Sequence, residues 1–205
     1  MQAKKVHSAK KAPVGRPRSE TTRLQILNAT IKLLQKNSIQ AISIEAIAKE
    51  AGVSKATIYR WWDSKAFVVV DAFIENHLVK TPIHFELGPR KALTSHFRAL
   101  VEQYSEWPGR LVAQILGEGQ SDPAILRAFR ERFHYGRRGL IREALEQWKD
   151  SGQIPADTNV ELLMDIIYGA AYMRLMIGHA PLTDDFARAH LSYIFSLLGV
   201  TDPDE

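Results

Sequence analysis

Apolar residues recur along most of this chain at spacings of three and four, the period of helices that bury one face. In "ETTRLQILNATIKLLQKNS", Leu24, Leu27, Ile31 and Leu34, with Leu33 beside them, predict an amphipathic helix. It should begin between Ser19 and Thr22 and end near Asn37, which stands in for a terminating glycine. Ser43 is placed to cap a second helix over Ile44 to Ala51, with Glu45 near its N-terminus and Ile44, Ile47 and Ala48 facing inward. Gly52 can take the positive φ of a tight turn, Val53 plugs the core beneath it, and Ser54 caps a third helix from Lys55 to about Trp61. A fourth helix is expected over about Lys65 to Val79, after which Pro82 and the pair Gly88 and Pro89 interrupt the period.

The pattern then predicts helices at roughly 90–106, 108–119, 122–150, 157–179 and 183–199, separated by Pro108, "GEGQSDP", "SGQIPAD" and "GHAPLTDD". Asp122 followed by Pro123 suits a cap and first helical position. Gly136 and Gly139 mark the long middle segment for a kink or break. No window alternates as a strand, so the expected fold class is all-α. The predicted organisation is an arm over 1–18, a three-helix domain over 19–64, a connecting helix over 65–80 and a larger helical domain over 81–205.

Charge divides the chain in the same place. The first 80 residues hold 14 basic and 6 acidic side chains, a net +8, whereas the remaining 125 hold 13 and 17, a net −4. Such asymmetry points one end at a polyanion. Residues 1–18 carry six basic groups, no acid and no apolar periodicity, and are expected to be a disordered basic arm.

Two short helices joined by a glycine turn make a helix-turn-helix, whose second helix enters the DNA major groove. The small residues of "AGVSKATIYRWWDSK" allow close approach, and its hydroxyls and cations suit phosphates and base edges. The wider stretch "ISIEAIAKEAGVSKATIYRWWDSK" resembles the DNA-binding signature of the TetR family of bacterial transcriptional regulators. The matching positions are Ile47 and Ala48, the run Ala51 to Ser54, Tyr59, and Ser64 with Lys65. Departures are Asn37 and Ser38 where glycine is common, Ser43 in place of threonine, and the pair Trp61 and Trp62 where the family favours other aromatics. The resemblance implies that Ser54, Lys55 and Thr57 contact bases or phosphates and that the Tyr59 hydroxyl meets a phosphate. It also implies phosphate contacts for Ser43 and Lys65 at two helix N-termini, with Arg60 and Trp61 as further contacts and Trp62 as a core lock. In "GRPRS", Arg16 and Arg18 flank a proline and suit insertion in a minor groove.

The second half resembles the same family in architecture, which implies a domain that binds a small molecule and dimerises. Independently, the last two predicted helices are apolar over a broad arc and need two partners each. A second subunit would supply one of them, which makes Ile166, Gly169, Ala170, Met173, Ile194, Leu197 and Leu198 the candidate dimer residues. Candidates for lining an effector cavity are the aromatics Phe97, Tyr104, Phe129, Phe133 and Trp148, with Tyr168, Tyr172 and Met176 on the penultimate helix.

Other chemistries find little support. There is no cysteine, the seven histidines lack metal-ligand spacing, and no phosphate loop or nucleophile elbow is present. No catalysis, cofactor or metal is expected. No apolar segment follows the basic N-terminus and none reaches the ~20 residues of a membrane span, so a soluble cytoplasmic protein is expected, on the nucleoid when bound to DNA. The expected function is a homodimeric, sequence-specific regulator, a repressor released from a pseudo-palindromic operator by a small molecule. Architectural DNA coating, or control by a protein partner, remain open at this level.

Overall fold

Helices account for the regular structure of the computed structural model, which describes residues 19–77 and 83–200; no strand occurs among them. The expected arm with Arg16 and Arg18, and the end of the fourth helix beyond residue 77, lie outside the described residues.

α1 (Glu20–Leu34) starts at Ser19, whose hydroxyl accepts from the Thr22 amide. It ends without a left-handed residue. Asn37 acts instead through its side chain, whose amide donates to the Leu33 carbonyl at 2.9 Å, so its part in termination differs from that of a glycine. α2 (Ile44–Ala51) and α3 (Lys55–Tyr59) are capped as expected by Ser43 and Ser54, which accept from Ala46 and Thr57 amides at 3.2 and 3.1 Å. Between them Gly52 takes φ +66°, a conformation that costs a side-chain-bearing residue energy and costs glycine almost none. Ile26, Ile47, Ile58 and Trp62 close the core of this unit, and α4 (Lys65–His77) packs across α1, with Arg23 paired to Glu75 at 3.0 Å.

The larger unit begins with a 3₁₀ turn at Phe85–Leu87 and continues through α5 (Gly88–Ser105), α6 (Trp107–Ser121), α7 (Pro123–Phe129), α8 (Tyr135–Asp150), α9 (Val160–Ile177) and α10 (Asp184–Leu198). The α5–α6 corner requires Gly109, because a Cβ there would lie 1.9 Å from the Tyr104 carbonyl oxygen. The expected break in the 122–150 segment exists but sits elsewhere: a π-helical turn at Arg130–His134 separates α7 from α8, while Gly136 and Gly139 stay inside α8.

Both units share one continuous core, and α4 is the element between them. Phe73 of α4 meets Phe129 and Phe133 at centroid distances of 6.1 and 5.1 Å. From the other side α6 holds the loop before α2: Gln114 accepts from the Ile39 amide at 3.0 Å, and the Trp107 indole donates to the Leu34 carbonyl at 3.3 Å.

Candidate nucleic-acid interface and ligand cavity

On α3 the buried side chain is Ile58, which turns Lys55, Ala56, Tyr59 and Arg60 outward. Tyr59 is 52% exposed, high for a tyrosine with no burial to gain by leaving the surface. Ser54 has two tasks, since its Oγ caps the helix and also lies 2.9 Å from Oγ1 of the half-buried Thr57. Lys55 donates to Glu45 of α2 at 2.9 Å; this hydrogen bond raises the lysine's pKa and lowers that of the glutamate. Both groups are solvated, so the pair is weak and a phosphate can replace the carboxylate. Ser43 is exposed at the start of α2.

Two other candidate contact residues are engaged within the protein. The Lys65 ammonium faces back into the protein and donates to the carbonyls of Ile39 and Ile42 at 2.8 and 3.0 Å. It therefore clamps the α1–α2 loop onto the start of α4. Trp61 is half-buried, tilted against Trp62 at 6.0 Å, and packs on the core more than it projects from it. Lys65→Ala should therefore lower stability by about 1–2 kcal/mol, the worth of two hydrogen bonds from a charged donor that is partly solvated. Thr57→Ala should instead leave stability nearly unchanged and lower the preference for operator over random DNA by about 1–3 kcal/mol per half-site. Melting curves and competition binding separate the two; equal loss on both DNAs for Thr57→Ala would remove it from base readout.

Trp62 is almost fully buried, and its indole Nε1 donates to Asp71 of α4 at 2.7 Å. The same carboxylate oxygen accepts from Arg132 in the π turn, whose guanidinium lies over the Phe67 ring at 4.5 Å. One acid thus joins the anchor of the recognition helix to the turn between α7 and α8.

The neighbour of Arg132, Phe133, lines a cavity of about 280 Å³ bordered by α5, the π turn, α8 and α9. Of the expected ligand residues, Tyr104, Phe133, Tyr168 and Tyr172 line it. Phe97, Phe129 and Trp148 are buried in core packing and do not line it, and Met176 lies on the exposed side of α9, 44% accessible. The sequence reading missed His96, His134, Arg137 and Arg138 in the wall. Arg138 is bound to Glu161 and Asp165 of α9, at 2.9 and 2.7 Å. Glu161, hydrogen-bonded first by Arg142 and then by Arg138, has its pKa held down to about 2. Among the described residues no group of histidines and acids is placed to hold a metal ion, and no helix is long and apolar enough to cross a membrane.

Among the expected dimer residues, Ile166, Met173 and Leu197 are exposed at 42%, 56% and 63%. Gly169 is open, Ala170 and Leu198 are half-buried, and Ile194 is buried within its own protomer.

Comparison with known proteins agrees with this arrangement. Residues 26–71 match the family described as bacterial regulatory proteins, tetR family, and residues 88–194 match the tetracyclin repressor-like C-terminal domain. The uncharacterized HTH-type transcriptional regulator YdeS of Bacillus subtilis is 30% identical over 191 residues, 93% of this chain and 96% of that one. UidR of Escherichia coli K12, an HTH-type transcriptional regulator, is 25% identical over 74% of this chain and 80% of its own. The crystal structure of the TetR family transcription regulator SCO0332 superposes with a TM-score of 0.74 at 29% identity, covering 89% of this chain and 99% of that one. With both family patterns matched in order and a relative similar over nearly the whole length, the chain belongs to the TetR family of DNA-binding transcriptional regulators.

Proposed function

We propose that this regulator is a cytoplasmic homodimeric repressor that reads a pseudo-palindromic operator with α3 and leaves it when a small molecule enters the α5–α8–α9 cavity. TetR-family proteins are regulators and not enzymes; they bind DNA operators, dimerise and respond to small-molecule effectors. Exposed Lys55, Tyr59 and Arg60 support α3 as the reading element, with half-sites about one helical turn, ~34–36 Å, apart or a multiple of that. The observation that carries the switch is the π turn. Phe133 lines the cavity and packs on Phe73, while Arg132 beside it holds Asp71, which holds Trp62. An occupant that displaces this turn acts on α4 and thereby on the angle of α3. Family couplings of on the order of 1–3 kcal/mol suffice, provided the occupant prefers one of the two arrangements.

Fluorescence anisotropy against DNA from upstream of the protein's own gene and a shuffled control tests the reading. Preference of about a thousandfold at physiological salt supports an operator reader. Equal, strongly salt-dependent affinity for every sequence in a genome-wide selection would replace it with an architectural role.

The bracing of α3 has its own test. Asp71→Ala removes the acceptor shared by Trp62 and Arg132, so amide hydrogen exchange over residues 55–62 should accelerate by about tenfold or more, while α9 and α10 keep their protection. Unchanged protection in α3 would detach Asp71 from the recognition helix.

A further inference from the structure

The polar side chains in the cavity lining offer mainly donors. Arg137 projects from α8 with Nη2 3.1 Å from Nδ1 of His96. A guanidinium can only donate, so Nδ1 must accept, and the imidazole proton then resides on Nε2, a second buried donor in the same wall. Tyr168 adds a third. Its hydroxyl is buried with no hydrogen-bond partner, and burial raises its pKa, so it stays an O–H. Tyr104 and Tyr172 stand beside it with ring centroids 6.0 Å apart, and the three tyrosines are the groups whose charges act on Arg137.

Burial is the largest influence on Arg137 and lowers its pKa, yet a guanidinium keeps its charge under any physiological condition. In the same lining Asp165 is paired with Arg138. The rest of the lining is apolar and includes Leu100, Phe133, Ile141 and Met164. At about 280 Å³ the cavity is of the size that takes a small organic molecule of one or two rings.

We propose that the effector is a one- or two-ring organic carboxylate, its anion held by Arg137 and the Tyr168 hydroxyl and its rings against Phe133. This rests on the reading of the cavity as the effector site and names the chemistry of its occupant. A planar carboxylate matches the guanidinium fork, and a neutral amide of the same shape offers one acceptor oxygen fewer and no charge.

The test is calorimetric titration of the full chain with matched acids and primary amides: benzoate and benzamide, cinnamate and cinnamamide, 2-naphthoate and 2-naphthamide. At least one acid should bind tenfold or more tightly than its amide. Arg137→Gln should abolish that preference, and Tyr168→Phe, which keeps the ring and loses only the hydroxyl, should weaken the acid by about tenfold; the second variant decides if the first does not fold. Amides binding as well as acids, or acids binding both variants as well as the parent, would overturn the carboxylate assignment and leave the effector cavity standing. An acid that binds through Arg137 and leaves operator affinity unchanged would sustain the ligand class and remove the effector role. Absence of binding by every acid and amide would overturn both.

Discussion

Trp62→Ala should destabilise the protein by ~3–5 kcal/mol, the usual cost of truncating a buried large aromatic, and abolish operator binding at temperatures where the rest of the chain stays helical. The side chain is only 2% exposed, lies at the junction of α3 and α4, and donates its indole N–H to Asp71. Truncation opens a cavity under the recognition helix and removes one partner of a carboxylate that retains Arg132. Trp62→Phe separates the two contributions: it fills most of the volume and loses the hydrogen bond, so it should cost less than half as much. Urea denaturation at fixed protomer concentration, with the slope checked for change, gives the numbers. A loss below ~1.5 kcal/mol for alanine would mean that α3 is fixed from elsewhere, with α6 and the Lys65 clamp as the remaining braces.

The helices and their caps were legible because both are local. Ser43, Ser54 and Asp122 cap as their sequence positions predict, and Gly52 takes the left-handed conformation that the α2–α3 turn demands. The π turn was not legible. "RERFH" carries no glycine or proline, and the extra residue is accommodated by packing of Phe129 and Phe133 on Phe73, a tertiary cause. The Lys65 clamp was not legible for a similar reason, since nothing near it in sequence shows that the Ile39 and Ile42 carbonyls converge on its ammonium.

The cavity was half legible, and its missed half had a signal. Arg137 lies four residues before Ile141 and seven before Ala144, on the buried stripe of α8; His96 lies between Leu93 and Leu100 on that of α5. A charged or titratable residue at an inward helical position is costly unless it is used, and that criterion would have selected both. Selecting aromatics instead returned Phe97, Phe129 and Trp148, which pack as ordinary core.

The double variant Ile166→Glu with Met173→Glu should sediment as a monomer, and its operator affinity should fall by about 10²–10⁴, the advantage lost when two linked sites become one. On α9 the exposed residues Leu162, Ile166, Gly169, Met173 and Ile177 recur at intervals of three and four, forming a single stripe, and Tyr193 and Leu197 continue the apolar surface on α10. A two-fold axis through this stripe pairs it with itself, and Gly169 leaves room for close approach because a Cβ there meets nothing within 4 Å. Both substitutions replace side chains already in solvent within a protomer, so the monomer should keep its helicity and melt cooperatively. Leu140→Glu, an exposed leucine on α8, is the control and should remain dimeric with its operator affinity intact. A double variant that still sediments as a dimer would place the interface elsewhere. If it is a monomer, the geometry adds a consequence: Gly169 belongs to both the stripe and the cavity wall, so an occupant pressing on α9 shifts the surface that sets the distance between the two recognition helices.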